Sequence, residues 1–186
     1  VGAGVAQTAE RQLRVESNFH HGTVGAEDPV LLVLTPSIAD PSRVPEGKHM
    51  IKVINVQPYA LREGPEKWDE IKKEVATSNL AELRKYAPNL TNDKILAIDV
   101  RSPLDLERIN RHNWHGSCHG GDMSPAQSET LRPVPGYAQH RMPIPGLYQT
   151  GATTHPGGSV TGAPGRNAAI VLLKDLGRDL SEVIGG

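Results

Sequence analysis

Aliphatic residues along this chain gather into a few short runs separated by turn-forming stretches. Val30-Leu31-Leu32-Val33-Leu34 is a continuous run of strand length, the pattern of a strand covered on both faces. Turn chemistry follows in Thr35-Pro36-Ser37, Asp40-Pro41-Ser42 and Pro45-Glu46-Gly47-Lys48, before a second run, Met50-Ile51-Lys52-Val53-Ile54-Asn55-Val56. There Ile51, Val53 and Asn55 share one face while Met50, Ile54 and Val56 lie on the other. Two adjacent, largely buried strands are the simplest arrangement.

Beyond them the period changes from two to 3.6. Gly64 and Pro65 open a predicted helix that runs to about Tyr86, just before Pro88, because a proline in the first helical turn loses no hydrogen bond. Trp68, Ile71, Val75, Ala76, Leu80, Leu83 and Ala87 form its apolar stripe, with Asp69 and Lys73 paired on the wet side. This is a surface helix packed on a sheet, structural in role. Ile95-Leu96-Ala97-Ile98-Asp99-Val100 predicts a third strand, and Ser102 capping Pro103-Leu104-Asp105-Leu106-Glu107 predicts a short helix. Strand, strand, long helix, strand defines an α/β or α+β lobe. Residues 1–28 have weak periodicity and read as a flexible or peripheral arm. Their opening, Val1-Gly2-Ala3-Gly4-Val5-Ala6, imitates a dinucleotide fingerprint, but Gln7 occupies the third glycine position and no strand precedes it.

Composition narrows the class only mildly. A chain of 186 residues can bury a core without metal or disulfide support. Its formal net charge of -1 gives no reason to expect nucleic acid as a partner, and no apolar run approaches the roughly twenty residues of a transmembrane segment. The single cysteine, Cys118, forms no internal disulfide and suggests a reducing, cytoplasmic setting. The chain opens on Val1 rather than methionine, which we read as something removed upstream. Nineteen glycines and fifteen prolines predict much ordered loop, so loops are expected to carry the chemistry.

Two loops stand out. The first, Arg111-His112-Asn113-Trp114-His115-Gly116-Ser117-Cys118-His119-Gly120-Gly121-Asp122, concentrates nitrogen, sulfur and oxygen donors. Zinc uses such donors, yet zinc motifs pair their ligands across a structured spacer, whereas here His112, His115, Cys118, His119 and Asp122 crowd one glycine-interrupted stretch. No metal is therefore assigned. The same glycines suit a close backbone approach to a flat ligand, with His119 and Ser117 offering hydrogen bonds at its edge. The second loop follows a predicted strand, Leu147-Tyr148-Gln149-Thr150, and leads into a predicted helix from Gly165 to Leu176, with Pro164 at its first turn and Gly177 at its end. Glycines at 151, 157, 158, 162 and 165, interleaved with Thr153, Thr154, Ser159 and Thr161, make a strand-to-helix turn facing the positive end of a helix dipole.

Together Gly116-Ser117-Cys118-His119-Gly120-Gly121-Asp122-Met123, Gln127, Leu131-Arg132-Pro133, Pro143-Ile144-Pro145-Gly146-Leu147-Tyr148 and the stretch from His155-Pro156-Gly157-Gly158 to Arg166-Asn167-Ala168-Ala169 resemble the C-terminal part of phytoene-desaturase-like flavoproteins. The nearest branch is that of pyridine-nucleotide-disulfide-oxidoreductase-domain proteins related to carotenoid desaturases. More loosely the likeness reaches upstream to about Pro29.

The resemblance implies the C-terminal portion of a two-domain fold that binds FAD. Residues 1–28 would be an arm or linker, 29–115 a substrate-lobe sheet with its long helix, and 116–186 the loop, strand and helix that close the flavin site. Gly151 and Ala152 would lie beside the pyrophosphate and ribitol, while Gly158, Ser159, Val160, Thr161, Gly162 and Ala163, with Asn167 behind, would approach the isoalloxazine ring; Thr153 and Gly157 would belong to the same cofactor-binding set. His119 would cover the ring as the candidate catalytic residue. Relatives often carry an acidic residue where Ala152 stands, so that contact falls to the backbone or to Thr153. The implied activity is hydride removal from a small apolar or alicyclic carbon skeleton. The implied partner is an N-terminal FAD-binding chain or domain, because a dinucleotide fingerprint with its acidic residue is missing here. An oligomer is compatible with this reading. The alternative is a non-catalytic binding or assembly subunit that keeps the flavoprotein scaffold.

Overall fold

The computed structural model describes residues 5–25, 28–122, 124–158 and 160–184, so the fingerprint-like glycines at positions 2 and 4 lie outside the described residues. Six elements organise the chain: α1 (Val5–His21), β1 (Leu31–Leu34), β2 (Lys52–Asn55), α2 (Trp68–Tyr86), α3 (Pro103–Ile109) and α4 (Ala163–Asp175). The chain divides into two compact units, residues 1–105 and 106–186, with the boundary inside α3. Mixed helix with a small sheet agrees with the α/β (α+β) class expected.

In the first unit β1 and β2 pair antiparallel, with Leu31 opposite Asn55 and Leu34 opposite Lys52. Both strands fall where the aliphatic runs predicted them. Their burial does not: Leu32 is 56% exposed and Val33, Leu34 and Ile54 are exposed too. The predicted third strand is also absent, since residues 95–100 carry no ladder, and Leu96 is 76% exposed. A continuous aliphatic run is buried on both faces only when further strands and layers flank it. Among the described residues the sheet has two strands.

The core of this unit is built by α2. Pro65–Lys67 forms a single 3-10 turn leading directly into Trp68–Tyr86, as the Gly64-Pro65 signal predicted. Trp68, 2% exposed, packs with Leu61, Val75 and Leu104, and Val24, Tyr59 and Ile71 close the cluster. The Trp68 indole N–H donates to Pro58 O at 3.1 Å, so the buried ring leaves no polar atom unsatisfied. Ser102 begins α3 as a capping box: its Oγ accepts from Asp105 N at 3.1 Å, and Asp105 Oδ2 accepts from Ser102 N at 2.9 Å. Lys72 of α2 donates to both oxygens of that carboxylate at 2.9 Å. Burial pushes the Asp105 carboxyl up, but hydrogen bonds from Lys72 and Ser102 outweigh it and leave the group below its ordinary 3.8.

Residues 5–21 are not an arm but a helix docked in the first unit. Arg11 pairs with Asp28 at 2.9 Å and with the buried Glu82 of α2 at 3.4 Å. The helix ends in a Schellman motif in which Gly22 takes φ 63° and Thr23 N donates to Asn18 O at 3.0 Å. A Cβ on Gly22 would lie 2.7 Å from Ala60 O, so the chain reversal is pressed against residues 60–62. Among its described side chains, ion pairs from Arg11 and the C-terminal cap tie this helix to the first unit.

The second unit is mostly loop. Met142 N donates to Leu147 O and Gln149 N to His140 O, at 3.0 and 2.8 Å, around the turn Ile144-Pro145-Gly146-Leu147. Leu147 N closes that turn on Ile144 O, with Gly146 at φ 78°, a geometry that wants proline then glycine in its centre. The predicted strand 147–150 is reduced to one bridge, Arg141 to Tyr148, because it has only this short return segment to pair with. Downstream, α4 begins with Pro164 in its first turn and ends at Gly177, where Arg178 N donates to Leu173 O at 2.8 Å. It starts two residues earlier than the glycine spacing suggested.

Candidate functional site

In the second unit the two glycine loops singled out by sequence are folded against each other. A Cβ on Gly120 would lie 2.6 Å from Thr153 Cγ2, 2.9 Å from Thr153 N and 3.2 Å from Ala152 C, and Gly120 has φ +66°. A Cβ on Gly158 would lie 2.7 Å from His119 Nδ1 and 3.1 Å from its Cα. Both contacts need glycine, one for space and conformation, the other for space alone. His119, Gly120, Ala152, Thr153 and Gly158 therefore form one cluster from two segments.

Further hydrogen bonds shape the second loop. The Thr154 hydroxyl, on a residue only 1% exposed, donates to Gly151 O at 2.9 Å, Thr154 N donates to the same oxygen at 3.0 Å, and Gly157 N donates to Thr154 O at 2.7 Å. Gln149 Nε2 donates to Thr153 Oγ1 at 3.4 Å. The buried His140 holds the base of the hairpin through its Nδ1 and Gln149 O, 3.0 Å apart. His155 Nδ1 is buried without a hydrogen-bond partner among the described residues.

The remaining predicted site residues are placed differently. Gly151 is exposed with φ 107°, and Gly157 is buried. Val160, Thr161 and Gly162 stand exposed ahead of α4, where Thr161 Oγ1 accepts from Ala163 N at 3.1 Å. Gly162 is the N-cap residue in the left-handed region, Ala163 begins the helix and Asn167 is half-buried. Ser159 lies outside the described residues. The His119 side chain is exposed at the surface of the cluster.

The zinc arrangement weighed from sequence does not form among the described residues, where no group of three or more His, Cys, Asp or Glu side chains is gathered for a metal. His115 instead stacks on Trp114, ring centroids 4.5 Å apart, and Asp122 Oδ1 accepts from Ser124 N at 3.1 Å.

One central residue, part of Leu131-Arg132-Pro133 in the resemblance, was given no role there. Arg132 is 2% exposed, and its guanidinium donates to five backbone carbonyls: Asp122 O, Gln127 O, His119 O, Gly120 O and Ala152 O. An arginine set between Leu131 and Pro133 in glycine-rich loop was the available signal, since its five N–H donors are suited to collecting scattered carbonyls.

At the far end of α4, Asp175 accepts from Arg141 Nε and Nη2 at 2.8 and 2.7 Å and from Tyr148 Oη at 2.7 Å. Arg141 first, then Tyr148, hold its carboxyl down to about 2 from the ordinary 3.8. The pairing ties the hairpin to the helix that follows the glycine loop. Because the folded value is depressed, its contribution is full above the ordinary 3.8 and fades as pH falls through about 2. Asp175→Asn is expected to lower the melting temperature at neutral pH and to narrow the gap to wild type across that acidic window, as thermal melts at a series of pH values would show.

No family model matches the chain, and no solved structure does. Named relatives do. It is 38% identical over 157 residues to pyridine nucleotide-disulfide oxidoreductase domain-containing protein 2 of Mus musculus, covering 83% of this chain and 26% of the mouse protein. Identity is 28% over 145 residues to a limonene dehydrogenase subunit of Castellaniella defragrans, covering 76% of this chain and 26% of that protein. It is 30% over 138 residues to 4,4'-diapophytoene desaturase (4,4'-diaponeurosporene-forming) of Staphylococcus aureus, covering 72% and 26%. The homologues thus carry oxidoreductase, dehydrogenase and desaturase names, in keeping with the resemblance to the C-terminal part of phytoene-desaturase-like proteins. The chain spans about a quarter of the length of these relatives. No described helix is long and apolar enough to cross a membrane.

Proposed function

We propose that this chain is the C-terminal part or subunit of an FAD-dependent oxidoreductase of the desaturase or dehydrogenase type, acting with an N-terminal dinucleotide-binding part. The observation that carries this reading is the mutual packing of the His119-Gly120 and Ala152-Thr153-Gly158 segments, the two stretches on which the resemblance rests. A close-packed, Cβ-free backbone next to a histidine suits the approach of a flat aromatic ring. Gly151 and Ala152 would face the pyrophosphate and ribitol, and residues 158–163 with Asn167 behind them the ring.

Bound FAD supplies an acceptor for the hydride that leaves a substrate carbon as a double bond forms and a proton departs. The chain's own residues contribute position and field. The first turn of α4 contains no acidic residue, so its N-terminal dipole stays free to favour negative charge near the loop. His119, exposed beside Gly158, would cover the ring on the substrate side. With this division of labour the substrate would be a small apolar or alicyclic carbon skeleton.

A second reading, a non-catalytic assembly subunit on the same scaffold, draws on the exposed apolar residues of β1 and β2, which offer strand surface to a partner. An absorption spectrum and intact mass of the tagged protein isolated from its native source separate the two. The oxidoreductase reading expects oxidised-flavin bands together with a further polypeptide or a longer chain. A colourless homo-oligomer would establish the assembly reading instead.

A further inference from the structure

Arg132 takes part in no reaction proposed above, yet it hydrogen-bonds to both glycine loops of the cluster. We infer that Arg132 is the positioning residue that holds the two glycine loops together and turns the amide N–H groups of Gly120 and Gly121 away from itself as ligand donors. Its guanidinium accepts no substitute easily: it donates to His119 O and Gly120 O in one loop, Ala152 O in the other, and Asp122 O and Gln127 O between them. All five bonds come from Nη1 and Nη2, a planar fork that reaches carbonyls arriving from several directions, which the compact ammonium of lysine cannot do.

The orientation of the amides follows from peptide geometry. In a planar trans peptide the carbonyl of one residue and the N–H of the next point in opposite directions. Drawing in the carbonyls of His119, Gly120 and Ala152 therefore faces the N–H groups of Gly120, Gly121 and Thr153 away from the guanidinium, with Thr153 N packed against Gly120. None of these three N–H groups donates to another group among the described residues. Oriented backbone donors of this kind suit an electron-rich partner such as a phosphate or a carbonyl-bearing ring edge. That the partner is a flavin rests on the proposed function, whereas the assembly of the loops by Arg132 does not.

The test is hydrogen exchange, read by mass spectrometry on peptides covering residues 117–122 and 150–158, for wild type, Arg132→Lys and Arg132→Met. Positioning by Arg132 predicts exchange about tenfold faster in both peptides together, with α2 and α4 unchanged. Unchanged exchange in either loop overturns the inference, as does a uniform loss of protection across the second unit in both variants, which marks plain core packing. A measurement on the wild type guards against variants that do not fold: in arginine-labelled protein the Nη protons of Arg132 are expected as separate, slowly exchanging resonances. Averaged, rapidly exchanging Nη signals would contradict the five hydrogen bonds and the inference with them. In flavin-loaded protein Arg132→Lys is also expected to shift the flavin absorption bands, which a distant structural defect does not do. Loosened loops with unaltered flavin bands would refute the donor role of the amides. Failure of the wild type to carry flavin removes the flavin reading alone, because the exchange measurement needs no cofactor.

Discussion

Gly120→Ala is expected to part the two glycine loops and to destabilise the second unit by about 2–5 kcal/mol, combining a left-handed alanine at roughly 1–2 kcal/mol with overpacking at roughly 1–3 kcal/mol. The overpacking is severe because the new methyl would meet backbone: Thr153 N at 2.9 Å and Ala152 C at 3.2 Å, besides Thr153 Cγ2 at 2.6 Å. A side-chain tip can swing aside, but Ala152 O is already committed to Arg132 and Thr153 Oγ1 to Gln149. Gly121→Ala is the control. Its φ is +91° and the nearest atom to a Cβ there is Arg132 Nη2 at 4.0 Å, so only the conformational cost of about 1–2 kcal/mol applies. Urea denaturation paired with hydrogen exchange of α4 measures both. Equal, small effects for the two variants would show that the loops are not in contact.

Trp68→Ala is expected to cost the first unit about 3–5 kcal/mol, the usual range for deleting a large buried aromatic. Two effects combine. The cavity removes contacts from Leu61, Val75 and Leu104 at once, and Pro58 O loses its donor. Because Trp68 is the first residue of α2, the loss falls where the helix meets the preceding turn. Far-UV circular dichroism during urea denaturation would report an earlier midpoint, and Trp68→Phe should recover most of the packing though not the hydrogen bond. A midpoint unchanged in Trp68→Ala would mean that this cluster is not the core.

What could be read from the sequence was local. The Pro65 turn that leads into α2, the Ser102 cap of α3, the Pro164 entry to α4 and its Gly177 exit each depend on neighbours within a few residues, and each was legible. So were the positions of β1 and β2. The features that failed depend on distant chain. Residues 95–100 have a strand's composition, but a strand needs a partner edge, and none pairs with them among the described residues. The docking of α1 rests on Arg11 meeting Glu82 across 71 positions, which no periodicity reveals. In the candidate site, the glycine loops were visible as composition and as resemblance, whereas their contact was not. Arg132 was least legible of all, because a buried guanidinium has meaning only once the five carbonyls around it are known.

That a single cofactor lies against both loops is open to direct test by hydrogen exchange on the flavin-loaded protein before and after the flavin is stripped. Protection is expected to rise on flavin binding in residues 119–121 and in residues 151–158 together, while the amides of α2 stay as they were. Flavin bound with no change in either loop would contradict the proposed site.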